Sequence, residues 1–102
     1  MEFITKVFQT KNGVVEGAHV KWAGFSLLLV SGKKAFLTCG AFDLEAINAF
    51  GAAAAIVEST PTNLIGNLDR FPNRKIMKVN AKAEALGITV GMDVKDAFEI
   101  IA

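Results

Sequence analysis

Apolar and polar residues alternate in the first third of the chain and follow a helical spacing later on. Phe3 to Gln9 alternates loosely and contains the β-branched Ile4, Thr5 and Val7, so it reads as a first strand. Lys11-Asn12-Gly13 follows as a hairpin turn, because Asn-Gly tolerates the positive φ of a tight reversal. Val14 to Ala23 reads as a second strand. Ala18, Val20 and Trp22 share one face of it, and His19 and Lys21 share the other. Gly17 inside it predicts a bulge or a bend. Gly24 breaks the run, and Trp22 and Phe25 on either side are assigned to the core. Phe25 to Val30 is apolar at nearly every position, which suits a central strand covered at least in part on both faces. After the turn Ser31-Gly32-Lys33-Lys34, Ala35 to Cys39 completes an antiparallel meander.

The period then changes. Asp43 is placed to cap a helix carrying Leu44, Ile47 and Phe50, with Gly51 as its stop. Ala52 to Glu58 reads as a fifth strand. Strand, short helix and strand form a crossover, so the fourth and fifth strands should run parallel. Thr60-Pro61 has the chemistry of a second helix start, with Leu64, Ile65 and Leu68 on its apolar side. Ile76, Val79, Ala83 and Leu86 continue at helical spacing up to Gly87, with a short strand over Lys75 to Val79 as the competing reading. Ile88 to Gly91 reads as an extended link. Asp93 caps a last helix whose Val94, Ala97, Phe98 and Ile101 share one face. The expected fold class is α+β: a two-layer α/β sandwich over residues 1–102 as a single domain. Its mixed sheet has about five strands, and its helices lie mainly on one face.

Composition adds a partner to this picture. Hydrophobic residues make up 52% of a 102-residue chain. An apolar excess in so small a domain implies surface covered by something else, and a second copy is the simplest cover, so a homo-oligomer is expected. Eleven basic and ten acidic residues leave a net charge of +1, which offers nothing to a phosphate backbone; no nucleic-acid partner is expected. No apolar run approaches the roughly 20 residues of a membrane helix. The alternating start, with Glu2, has no signal-peptide pattern. The cytoplasm is therefore the expected compartment. One cysteine and one histidine exclude a disulfide framework and most zinc sites, so no metal is expected. No motif names a cofactor.

Candidate chemistry concentrates at two places. Cys39 precedes the start of the first helix, where free amides and the helix dipole favour an anion and would activate a thiol. Gly40 and Ala41 could offer their amides there, with Asp43 as cap or functional carboxylate. Ser59, Thr60 and Thr62 open the second helix in the same way. If the two parallel strands are neighbours, both helix starts reach one edge of the sheet, where a small anionic ligand would sit. Two alternatives stand beside this: a Cys39-dependent hydrolase or transferase with His19 as the only possible imidazole base, and a non-catalytic interaction or regulatory subunit. Cys39 also fits the ordinary role of a buried small hydrophobe, and His19 that of a surface or interface residue.

Thr38-Cys39-Gly40-Ala41-Phe42-Asp43 resembles the Cys-Gly-Ala-Leu-Asp segment of the YunC-like family of uncharacterised bacterial and archaeal proteins. Ala83 to Met92 resembles that family's Ala-x-x-Leu-Gly-Ile-x-Val-Gly-Met stretch. The likeness spans roughly residues 14 to 101 and departs at Phe42 and in the alanine-rich Gly51 to Ala55 segment. It implies an α/β two-layer fold and no activity, and it puts Cys39, Gly40, Asp43, Gly87 and Gly91 at motif positions.

Overall fold

The computed structural model describes residues Met1–Ala102. Three antiparallel strands come first: β1 (Glu2–Thr10), β2 (Gly13–Trp22) and β3 (Phe25–Ser31). Short β4 (Phe36–Thr38) is followed by helix α1 (Leu44–Ala49) and β5 (Ala54–Val57), and β4 and β5 pair in parallel as the crossover reading requires. A sixth strand, β6 (Ile76–Val79), pairs antiparallel with β5. Helices α2 (Ala81–Ala85) and α3 (Val94–Ile101) complete the chain. The six strands lie in sequence order across one sheet. The fold is α+β as expected, with one strand more than the sequence suggested.

The extra strand resolves the ambiguity over residues 75–79 in favour of extended backbone. Helical spacing of Ile76, Val79, Ala83 and Leu86 is broken at Asn80, whose side chain acts as a junction. Its Oδ1 accepts from the amides of Ala54 (3.2 Å) and Ala83 (3.0 Å), and its Nδ2 donates to the carbonyl of Ala52 (2.8 Å). One buried amide therefore ends β6, starts α2 and holds the entry to β5. The outer edge of β6 is covered at its start as well. The Ile76 amide donates to Met92 and the Gly91 amide to Ile76, both at 2.8 Å, and the Val94 amide donates to Arg74 at 2.9 Å.

The helix expected from Thr60 to Leu68 does not form. Thr60 and Asn63 close a tight turn through reciprocal backbone bonds of 3.2 and 3.0 Å, and the chain stays irregular until a 3₁₀ turn at Phe71–Asn73. Tertiary packing overrides local capping chemistry here, because Ile65, Leu68 and Phe71 are drawn separately into the core. Arg74 secures the segment: its Nε and Nη2 donate to the Glu58 carbonyl (3.2 and 3.1 Å) and its Nη1 to Asn63 Oδ1 (2.8 Å).

The main core lies on one side of the sheet. Cross-strand partners share a face, so Val15, Leu28, Val30, Leu37, Ala55 and Val57 point together beneath α2, α3 and the irregular segment. The stripe of α3 expected from its spacing, Val94, Ala97, Phe98 and Ile101, is buried against them. Gly32 lets α3 close down at its far end: a Cβ there would lie 2.1 Å from the carbonyl oxygen of Ile101. On the opposite face α1 packs against β5, where Ala54 and Ile56 are buried.

The same registers correct three expectations about β2. Gly17 makes no bulge; the ladder with β1 and β3 is continuous through it. It is there for close approach, since a Cβ would meet the Leu68 side chain at 2.9 Å and the Phe8 ring at 3.2 Å. His19 is not a surface residue. It belongs to the Val15–Gly17–His19 face and is 3% exposed. Trp22 and Phe25, assigned to the core, are exposed on the other face; they stack edge-on with ring centroids 5.4 Å apart. The helices on the far side simply do not reach that end of the sheet's reverse face.

Candidate functional site

Parallel pairing of β4 and β5 makes the segments after both strands leave the sheet at one end, as the sequence argument required. Cys39 continues the core-facing row of β4 and is buried, 8% exposed, with its amide donating to Leu28 at 3.0 Å. Gly40 and Ala41 are exposed. Asp43 is the helix cap predicted for it: one carboxylate oxygen accepts from the amides of Glu45 (2.9 Å) and Ala46 (3.3 Å). Two of the amides that an anion at the start of α1 would use, those of Glu45 and Ala46, are thereby already engaged. The α1 stop is as expected too, with Gly51 in the left-handed region at φ 80°.

The second half of the expected rim differs. Ser59 Oγ accepts from the Ile65 amide at 3.3 Å, and the hydroxyls of Thr60 and Thr62 face each other at 3.4 Å. These three residues shape a turn rather than open a helix, so the second helix start on which the anion reading depended does not exist. The Arg74 guanidinium is held against this turn by the Glu58 carbonyl and by Asn63.

The Cys39–His19 pair is equally constrained. His19 pairs with Leu28 across β2 and β3, and Leu28 lies beside Cys39 on β4. Two strand spacings, about 9–10 Å, separate imidazole strand from thiol strand, with Leu28 filling the gap. That is beyond the reach of a nucleophile–base hydrogen bond. His19 Nε2 is buried without a partner, and desolvation first, with the nearby Lys21 charge second, holds the imidazole's pKa below its ordinary value; Glu2 opposes weakly from across the strand. No three His, Cys, Asp or Glu side chains gather where they could hold a metal. No helix is long and apolar enough to cross a membrane.

What the structure does expose is the reverse face of the first three strands. Phe3, Val7, Val14, Val20, Trp22, Phe25, Leu27 and Leu29 lie there, with Glu16 the only charged residue among them. Phe3 is 68%, Val7 56% and Phe25 48% exposed. The apolar excess of the sequence signals such a surface without placing it, and Trp22 and Phe25, expected in the core, lie on it.

A family model for a domain of unknown function, DUF1805, matches residues 38–101. The chain belongs to the DUF1805 family. The matched region runs from β4 to α3 and contains both motif stretches that suggested a family without assigned activity. A search of curated proteins finds no match. The structure is similar to a protein of unknown function from Thermoplasma acidophilum, with a TM-score of 0.81 over 100% of this chain and 97% of that one. At 18% identity the likeness shows that this DUF1805 chain shares a fold with that protein.

Proposed function

We propose that this DUF1805 chain is a non-catalytic interaction domain that self-associates through the bare face of β1, β2 and β3. The carrying observation is that face itself, apolar over three strands and crossed by a single charge. Two phenylalanines, a tryptophan and several valines and leucines offer on the order of 500–600 Å² per copy, given the 150–250 Å² that each large aromatic can bury. Two such faces together reach the lower end of stable protein–protein interfaces, about 1,200 Å² in total. A second copy suits the face because it brings the same uncharged surface, whereas a strongly charged partner would find nothing to pair with.

Light scattering across a concentration series tests this reading. The wild-type chain is expected to dimerise or assemble further at micromolar concentration. Val20→Glu and Leu29→Glu, each placing a charge at the centre of the face, are expected to yield folded monomers. A wild-type chain that stays monomeric at hundreds of micromolar would end the proposal.

A further inference from the structure

The two edges of the sheet are treated differently. The outer edge of β6 is covered at its start, around Arg74 to Ile76, by residues Gly91 to Val94 and by the Lys75–Asp93 ion pair (3.1 Å). The outer edge of β1 has no such backbone cover, although the Lys6 side chain pairs with Asp69 of the irregular segment. The Lys11–Asn12 turn closes on the Thr10–Gly13 pair, and antiparallel bonding alternates from there. Thr10, Phe8 and Lys6 thus bond inward to β2, while the N–H and C=O groups of Gln9, Val7 and Thr5 point to the open side. None of them takes part in any backbone bond beyond the strands.

Beside this edge runs a groove of about 440 Å³ between β1 and α3. Its apolar walls are Phe8, Phe98 and Pro72, the two rings 5.1 Å apart and tilted by 46°. Lys95 and Glu99 line it too. The Glu99 carboxylate is engaged, accepting from the Lys11 amide at 2.7 and 3.2 Å. The Lys95 ammonium is in no ion pair.

We infer that β1 and α3 form a strand-addition groove for an extended peptide that carries an apolar side chain and, two residues away on the same face, an acidic one. The free groups of Val7 and Gln9 supply main-chain bonds to the added strand. The peptide residue opposite Phe8 then lies on the α3 side of the sheet, so its side chain enters the groove against Phe98 and Pro72. An acid on that same face meets the unpaired Lys95. This edge is distinct from the self-association face, so either proposal can fail alone.

The test uses the capped peptide Thr-Glu-Thr-Phe-Thr-Val-Thr and amide NMR shifts, on the wild-type chain and on Val20→Glu. Saturable shifts are expected at Thr5 to Thr10 and at Lys95 to Glu99 in both. Gln9→Pro removes an outward donor at an edge position that tolerates proline, and is expected to abolish binding with the circular dichroism spectrum unchanged. Lys95→Glu is expected to weaken binding at least fivefold and to recover it with the peptide bearing Lys in place of Glu. Absence of saturable shifts at millimolar peptide, or unchanged affinity in Gln9→Pro, overturns the inference. So does slow hydrogen exchange at Val7 and Gln9 in peptide-free protein that is lost on dilution, because a second copy would then hold the edge.

Discussion

His19 and Cys39 lie in one cross-strand row on the core side of the sheet, with Leu28 between them. Sequence distance hides this alignment, and the sheet spacing that creates it also keeps the two groups apart. A cysteine in that row, sealed from water and lacking a base, should behave as a small hydrophobe. Cys39 is expected to react with iodoacetamide orders of magnitude more slowly in the native protein than in denaturant, at every pH from 6 to 9. Rapid native alkylation would mean an accessible thiolate.

His19 makes the fold sensitive to acid. Its folded pKa lies below the ordinary value of 6.5 because burial disfavours the imidazolium and Lys21 repels it. The unfolded chain therefore binds the proton first. Its contribution to stability is fully present above about pH 6.5, where both states are neutral, and is lost as pH falls from there through the lower folded value. Urea midpoints measured from pH 8 to 4.5 should fall below about 6.5, and His19→Gln, which cannot titrate, should flatten that part of the curve. A curve unchanged by the substitution would remove His19 as its cause.

Gly32 is required by the carbonyl of Ile101, not by its own backbone angles. A Cβ at 2.1 Å from that oxygen must push α3 away from the sheet. Gly32→Ala is expected to cost about 1–3 kcal/mol, the range of an overpacked contact, read as a loss in the chemical-denaturation midpoint. A loss under about 0.5 kcal/mol would show that α3 yields without strain.

Asn80 joins β5, β6 and α2 through three hydrogen bonds, two of them buried. Asn80→Ala leaves the Ala54 and Ala83 amides without their acceptor, and the expected cost is about 2–4 kcal/mol. Asn80→Asp keeps the acceptor but not the donor to Ala52, and should fall between the two. Equal stability of the two variants would show that the donor to Ala52, not the capping acceptor, carries the whole effect.

Ala23 stands at φ 47° beside Gly24 at φ 77°, the paired left-handed conformations of a type I′ turn. Alanine is strained there and glycine or asparagine is not. Ala23→Gly and Ala23→Asn are each expected to raise stability by about 0.5–1 kcal/mol, seen as a higher melting temperature. A lower melting temperature for both would refute the strain.

Local patterns carried much of the architecture. Turn residues at Asn12-Gly13 and Gly24, the Asp43 cap with its Gly51 stop, and the α3 stripe all act within a few residues, and all occur where they were read. The parallel β4–β5 pair followed from chain connectivity. Between Thr60 and Leu68 the local pattern misleads, because Thr60-Pro61 favours a helix locally, while Ile65, Leu68 and Phe71 gain more by reaching the core separately. Lys75 to Val79 was ambiguous because its apolar spacing suits either period. The open side of β5 and the bonds of Asn80 settled it.

The amino-acid sequence by itself determined the meander, the crossover, the last helix and an apolar excess, because periodicity and turn chemistry are properties of neighbouring residues. Only the tertiary structure decided where that excess would face. Alternation says that a strand has two sides, but which side is covered depends on helices far along the chain. Here they cover His19 and Cys39 and leave Phe3, Val20 and Phe25 on the other side.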